Sequence, residues 1–106
     1  MLFLPWKLVK VEGDSMEPTF HEGDWILCTF ARKGAKSGAI VVIEREEQPG
    51  IFYLKRVKEV RGSNGHEKTI FLLSDNPNGV DSRKWGWLPE SSIIGQVMFR
   101  VRKKRS

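Results

Sequence analysis

The sequence is poor in the residues that most often carry hydrolytic or metal chemistry, with one cysteine and two histidines among 106 residues. The single cysteine, Cys28, excludes an intrachain disulfide, and its apolar neighbours predict a buried structural thiol. His21 and His66 lie in polar segments, where we expect solvated imidazoles that no acidic residue is obviously placed to orient. No ligand pair has a convincing metal-site spacing, so neither a metal nor another cofactor is expected.

Long apolar runs are also absent, and this excludes a transmembrane helix, which needs about 20 apolar residues. Pro5, Lys7 and Lys10 interrupt the apolar start of the chain, which lacks the small-residue cleavage site of a secretory signal. We expect a first strand that ends at Val11. Contact of this apolar start with a membrane is the alternative interpretation.

The net charge is +5, and much of it lies in the last residues of the chain, 100–106. We interpret this basic C-terminal tail as a solvated extension of the final strand, with contact to anionic lipid or an acidic substrate as the alternative. The basic residues do not alternate with exposed aromatics, and no familiar nucleic-acid-binding motif is present, so a nucleic-acid partner is not expected.

Helical periodicity is nearly absent as well. Short runs rich in β-branched and aromatic residues, separated by turn signals, predict strands at residues 7–11, 25–30, 39–44, 51–60, 69–73 and 93–101. A polar loop at 62–65 predicts a hairpin between the fourth and fifth strands. The chain is therefore expected to form one mainly β domain over residues 1–106, a compact, bent antiparallel sheet or partly closed barrel.

A serine and a lysine are the candidate catalytic residues. Ser15 lies in a Gly- and Pro-containing turn at residues 13–20, and Lys55 lies within an apolar strand. A serine needs a base, and lysine can supply one only if burial lowers its pKa. Strand alternation places Lys55 with Tyr53 and Val57 on one face. The alternative is an edge-strand lysine that prevents aggregation.

The residues before Ser15 bear on the second requirement of acyl transfer, which is a set of N–H donors for the oxyanion. The Ser15 N–H is the natural first donor, and Gly13 allows the backbone to approach a substrate closely. An ordinary turn is the competing interpretation of these residues.

The sequence resembles the signal peptidase I family of serine proteases, whose members use a serine and a lysine. The similarity covers nearly the whole chain in four ordered blocks. They are SMEPTF (15–20), GDWIL (23–27), the lysine-bearing segments GAIVV (38–42) and YLKRV (53–57), and DN (75–76) with DSRKWG (81–86). Ile93-Ile94-Gly95 follows the last block, as in the family.

The resemblance implies a catalytic core of the signal peptidase type and a role for each matching residue. Ser15 would be the nucleophile, with its N–H in the oxyanion hole, and Lys55 the general base. Met16 would pack beside the nucleophile and line the substrate cleft. Asp81 and Arg83 would form an ion pair that braces the site.

Several positions depart from the family pattern. Gly13 stands where many members have a hydroxyl that acts as a second oxyanion donor, and Ala39 replaces a common acidic residue. Ser74 replaces a glycine, while residues 77–80 are one residue short and lack the serine that often hydrogen-bonds the lysine. Ser74 or Ser82 could substitute for it, and the sequence leaves both open.

We expect neither the family's membrane anchor nor its large second domain in this protein, and on that expectation the chain most resembles the small proteases that mature nickel-containing superoxide dismutase. The expected function is a cytoplasmic serine endopeptidase that removes an N-terminal leader from that precursor protein. One alternative is a minimal, membrane-associated signal peptidase that cleaves secretory leaders. Another is a non-catalytic dimerisation module similar to the self-cleaving repressors.

Overall fold

The computed structural model describes residues 6–30, 34–62, 65 and 67–102. Three sequence expectations lie outside the described residues: the exposure of His66, the basic tail beyond residue 102, and membrane contact by residues 1–5.

Seven strands, one short α-helix and one 3₁₀ turn make up the described chain. In order they are β1 Trp6–Lys10, β2 Trp25–Thr29, β3 Ile40–Glu44, β4 Phe52–Arg61, β5 Thr69–Leu73, α1 Ser82–Trp85, β6 Leu88–Pro89, a 3₁₀ turn at Glu90–Ser92, and β7 Ile93–Arg102. The six strands predicted from the sequence are all present, with ends that differ by no more than one residue. The two-residue β6 and the single-turn α1 were not predicted.

The strands form one curled antiparallel sheet, a half-barrel, in the order β1-β2-β7-β3-β4-β5-β6. The predicted hairpin of β4 and β5 is present, with antiparallel pairing from Arg56–Leu73 to Arg61–Thr69. The last long strand, β7, lies between β2 and β3 and pairs with both. The mainly β fold class is therefore confirmed.

Two apolar clusters lie on opposite faces of this sheet. Neighbouring residues of β3 point in opposite directions, so Val42 enters one cluster while Val41 and Ile43 enter the other. We call them the first and the second core. The buried members of the first core are Val11, Met16, Phe20, Ile26, Cys28 and Val42. Those of the second are Val41, Ile43, Val57, Ile70, Leu72 and Leu88.

The position of β4 decides between the two interpretations of Lys55. This strand pairs with β3 on one side and with β5 on the other, so it is an interior strand. Lys55 lies opposite Val41 in the register, on the face of the second core. The edge-strand alternative is therefore wrong, because both edges of β4 are already paired.

Close packing of β7 against β2 provides a test of the fold. A Cβ on Gly95 would lie 2.8 Å from the carbonyl oxygen of Thr29 and 3.0 Å from the Phe30 ring. We expect Gly95→Ala to lower the free energy of unfolding by about 1–3 kcal/mol, because the backbone of β2 must move. Urea denaturation measures this. Gly34→Ala is the matched control, since a Cβ there meets nothing within 4 Å. Equal losses in the two variants would contradict the packing.

Candidate active site

Ser15 lies in the turn that follows β1. The turn closes through hydrogen bonds from the Glu17 N–H to the Asp14 carbonyl (3.1 Å) and from the Phe20 N–H to the Met16 carbonyl (2.9 Å). Met16 and Phe20 are buried in the first core and anchor the turn to the sheet. Ser15 itself is partly exposed.

Gly13 enters this turn with φ of 77°, in the left-handed region that glycine adopts without strain. No heavy atom lies within 4 Å of the place where its Cβ would stand. Backbone conformation, rather than crowding by the protein, therefore explains glycine two residues before Ser15.

His21 differs from the expectation that no acid would orient it. Its Nδ1 lies 2.7 Å from Oε1 of Glu17, one helical turn earlier in sequence, and both side chains are about half exposed. Cys28 agrees with its prediction. The thiol is fully buried, and burial raises its pKa to about 11. A thiol with that pKa is neutral near pH 7, which fits a structural role.

Lys55 is 1% exposed, an unusual environment for a lysine. Its Nζ donates a hydrogen bond of 3.0 Å to Oγ of Ser74. The same nitrogen lies 5.5 Å from the ring centroid of Tyr53 and 5.9 Å from that of Trp85. A buried ammonium among aromatic rings has only one side-chain hydrogen-bond partner within the described residues, and that partner is Ser74.

The environment of Lys55 favours its neutral form. Burial lowers the pKa of the amine from 10.5 to about 8, while the negative charge of Asp81 acts in the opposite direction and raises it. Desolvation is the larger effect. A measurable fraction of Lys55 is therefore unprotonated near neutral pH, as a general base requires.

Asp81 and Arg83 form the ion pair that the resemblance implied. Nε of Arg83 lies 2.9 Å from Oδ1 of Asp81, and a second guanidinium nitrogen lies 3.0 Å from Oδ2. Burial opposes ionisation of Asp81, but hydrogen bonds from Arg83 and from the Ser74 N–H hold the pKa of this carboxyl below its ordinary value. Asp81 also caps α1 by accepting from the Arg83 N–H.

The two serines that the sequence left open have different contacts. Oγ of Ser74 accepts from Lys55, whereas Oγ of Ser82 accepts from the Leu72 N–H at 3.0 Å. Ser82 therefore fastens α1 to β5, and Ser74 is the serine that contacts the lysine. The Ser74 N–H in turn donates to Oδ2 of Asp81 at 2.7 Å.

Residues 74–76 connect the lysine to the Ser15 turn. Beyond the Ser74 contact with Lys55, the Asn76 N–H donates to the Ser15 carbonyl at 2.9 Å. The Asn76 side-chain amide donates to the Asp14 carbonyl at 3.0 Å. Among the described residues no hydrogen bond joins Ser15 directly to Lys55. The structure thus brings both to one short segment by separate contacts.

Asp75 adds a second connection that the sequence did not predict. Arg56 binds both carboxylate oxygens of Asp75 at 2.9 Å, and the Thr19 hydroxyl donates to the same carboxylate. These bonds, that of Arg56 first, hold the pKa of Asp75 below its ordinary value. Both residues belong to segments that resemble the family, since Asp75 lies in the DN block and Arg56 follows Lys55. Their contact depends on how the chain turns after β5.

A cleft of about 420 Å³ lies beside Ser15 and Met16. The residues after β1 and the first residues of β4 form its walls, which are mostly apolar. The lining comprises residues 9–12, 15, 16, 42 and 50–54. Lys55 is not among the lining residues, in keeping with its burial. An extended apolar peptide segment would fit such a groove, and Ser15 would face it.

The buried lysine predicts a pH-dependent stability. Between pH 8 and pH 10.5 the folded state has lost the Lys55 proton while the unfolded state still holds it, so the contribution of Lys55 to the free energy of unfolding becomes more favourable to folding as pH rises. Below pH 8 the cost of burying the charge is fully present. We therefore expect Lys55→Met to be the more stable protein at pH 7. Its advantage should shrink by up to about 3 kcal/mol towards pH 10.5.

Urea denaturation of both proteins at pH 7, 8.5 and 10.5 measures the change. Other titrating groups, Cys28 included, are common to the two proteins and cancel in the difference. An advantage that stays constant with pH would mean that the Lys55 pKa is the same in the folded and unfolded states.

Comparison with known proteins identifies the family to which the chain belongs. A family model described as Peptidase S24-like matches residues 5–98. Mitochondrial inner membrane protease subunit 1 of Xenopus tropicalis is 28% identical over 117 residues, covering 90% of this chain and 68% of the relative. The human signal peptidase complex catalytic subunit SEC11C is 33% identical over 96 residues, covering 85% of this chain and 49% of the relative.

A shorter match reaches a bacterial relative. Signal peptidase I of Buchnera aphidicola is 53% identical over 30 residues, which cover 27% of this chain and 10% of that protein. The chain thus spans about half the length of SEC11C, whereas the match to the bacterial enzyme is confined to one short stretch. The family model covers nearly all of the chain described above, and the chain belongs to the Peptidase S24-like family, with signal peptidases of the type I kind among its relatives.

Proposed function

We propose that this chain is a serine endopeptidase in which Ser15 is the nucleophile and Lys55 the general base, and that it removes an N-terminal leader from a precursor protein. The observation that carries the proposal is the burial of Lys55, whose pKa of about 8 suits a base. Membership of a peptidase family supports the reaction class.

In the proposed reaction, Oγ of Ser15 attacks the carbonyl carbon of the scissile bond while its proton passes to Nζ of Lys55. The tetrahedral intermediate collapses, the C–N bond breaks, and the leaving amine takes the proton from Lys55. The resulting ester is hydrolysed by water, whose proton again passes to Lys55 and then to Ser15. The products are the leader and the mature chain, and the enzyme is restored.

The oxyanion would be held by the Ser15 backbone. Within the described residues the Ser15 N–H has no hydrogen-bond acceptor of its own, so it is available to a substrate oxygen. Gly13 sets the turn that presents this N–H, and Met16 supplies an apolar wall beside it. Asp81 and Arg83, together with Ser82, hold the segment that carries Ser74.

For the substrate, we propose the leader-bearing precursor of nickel-containing superoxide dismutase, processed in the cytoplasm. This assignment rests on the resemblance of the chain to the small proteases that mature that enzyme. Among the described residues, no helix combines the length and apolar character needed to cross a bilayer.

A second candidate, a membrane-associated peptidase for secretory leaders, is favoured by one surface. The outer face of β1, β2 and β7 exposes an apolar patch, since Leu8 pairs with Leu27 and Leu27 with Phe99. Leu8 and Phe99 are each more than half exposed. Lys10, which pairs with Trp25, adds positive charge at one end of this patch. Apolar side chains beside a cation suit contact with anionic lipid.

The enzymatic proposal is tested by intact-mass analysis of two purified precursors incubated with this protein. One carries the nickel superoxide dismutase leader, and the other a secretory leader with an Ala-x-Ala site. We expect trimming of the first and a loss of cleavage below detection in Ser15→Ala and Lys55→Ala. Lys55→Arg should also be inactive, because a guanidinium cannot act as a base near neutral pH.

Arg61→Ala is the control for that experiment, since Arg61 pairs with the exposed Glu59 on the far half of β4. An active Lys55→Arg protein would remove Lys55 from the proposed role. Trimming of the secretory precursor alone would favour the second candidate. Absence of any Ser15-dependent cleavage would favour the non-catalytic module.

The apolar patch is tested by sedimentation with vesicles of phosphatidylcholine alone or mixed with phosphatidylserine. If the second candidate holds, the protein binds the anionic vesicles, binding weakens with salt, and Leu8→Asp/Phe99→Asp reduces it at least tenfold. Val80→Asp, at an exposed apolar residue outside these strands, serves as the matched control. Absence of binding to either vesicle would count against a membrane-associated peptidase.

A further inference from the structure

Gly79 occupies a position with no room for a side chain. A Cβ built there would lie 2.4 Å from Oγ of Ser74, 2.6 Å from its Cβ, and 3.2 Å from the Asn76 carbonyl oxygen. Unlike Gly13, this glycine does not have a positive φ. Its backbone conformation is therefore open to other residues, and what excludes them is chiefly the Ser74 side chain, with the Asn76 carbonyl oxygen as a second close contact.

The group that excludes a side chain at position 79 is the one that holds Lys55. Oγ of Ser74 accepts from Nζ of Lys55 at 3.0 Å and contacts the Val80 carbonyl oxygen at 3.3 Å. Ser74 is 8% exposed, so its hydroxyl has little freedom to turn towards water. A side chain at position 79 would therefore compete for the space that this hydroxyl occupies beside the lysine.

We propose that Ser74 and Gly79 form a coupled positioning pair, in which the space beside Lys55 holds one hydroxymethyl group and the glycine leaves that space to Ser74. The inference rests on the proposed function, because it concerns how the base of that reaction is held. Neither residue is proposed to touch the substrate. Their effect reaches the chemistry through the position of Nζ.

The other groups around Lys55 cannot replace this contact. Tyr53 and Trp85 present ring faces to the amine. Asp81 affects the amine electrostatically, while its carboxylate oxygens accept hydrogen bonds from Arg83 and Ser74. Arg45 covers Trp85, with its guanidinium 4.6 Å from the ring centroid. The single hydroxyl therefore fixes the direction of the lysine head group.

Geometry also indicates where a replacement hydroxyl could come from. The Cβ of a residue at 79 would stand 2.4 Å from the present site of the Ser74 oxygen, which is itself 3.0 Å from Nζ. A serine at 79 combined with a glycine at 74 would fill the same space from the opposite side. Exchange of the two residues should thus restore the hydroxyl contact with Lys55 that each single substitution disrupts.

The test is a double-variant cycle of Ser74→Gly, Gly79→Ser and Ser74→Gly/Gly79→Ser, with kcat and KM measured on the precursor that the wild-type protein cleaves. We expect each single variant to lose about 100-fold in kcat with little change in KM, since a displaced base costs about this much. The double variant should recover to within about tenfold of wild type. Losses that simply multiply, or a fully active Gly79→Ser protein, would overturn the coupling.

Two controls separate positioning from folding. Gly34→Ser adds the same side chain where no atom lies within 4 Å, and it should leave kcat unchanged. Thermal denaturation identifies any variant that fails to fold. Ser74→Ala removes the hydroxyl without adding volume, and it should reproduce the loss of kcat if Gly79→Ser is unfolded.

A substrate-independent measurement separates this inference from the proposed function. In protein labelled with ¹³C-lysine, the Lys55 Cε resonance, assigned with Lys55→Arg, reports the titration of the amine. Loss of the Ser74 acceptor destabilises the ammonium, so the midpoint should fall in each single variant and return in the double variant. A wild-type protein that cleaves neither precursor would contradict the proposed function, but the titration midpoints of the four proteins could still be compared. Midpoints equal in all four proteins would defeat the positioning pair.

Discussion

The desolvation of Lys55 is the constraint on which the rest of the site depends. A buried cation is costly, and the interior position of β4 between β3 and β5 places this one on the face of the second core. Asp81 lies near enough to favour the charged form, yet burial remains the larger effect. The same carboxylate accepts two bonds from Arg83, so Asp81 is shared between a direct ion pair and a longer-range effect on the lysine.

The ten residues from Ser74 to Arg83 organise both halves of the proposed dyad. Ser74 contacts the lysine, Asp75 binds Arg56 and Thr19, and Asn76 binds the backbone of the Ser15 turn. Arg83 returns to this segment and donates to the carbonyls of Pro77 and Gly79. A segment with this many bonds along its length can hold a turn and a strand in a fixed relation.

The sequence predicted those parts of the molecule that depend on local patterns. Strands with alternating burial were identified because neighbouring side chains face opposite sides, and the same alternation placed Lys55 with Val57. The order of the strands within the sheet could not be predicted from the sequence. Nothing local indicates that β4 pairs with β3 as well as with β5, so an edge position for Lys55 stayed open. The choice between Ser74 and Ser82 was open for the same reason, because it depends on the path of residues 74–83. β6 is two residues long and contains Pro89, too short to give a pattern.

The two cores explain why such a segment is needed. Met16, next to Ser15, packs in the first core with Val42, whereas Lys55 lies on the face of Val41 and Val57 in the second. Adjacent residues of β3 thus face the environments of the proposed nucleophile and of the proposed base. Direct cross-strand pairing cannot bring together side chains that start on opposite faces of a sheet. The chain that leaves β5 contacts both sides, through Ser74 at Lys55 and Asn76 at the Ser15 turn. Ser74 and Asn76 are only two residues apart, so a single short connection joins the proposed nucleophile and the proposed base across the two faces of the sheet.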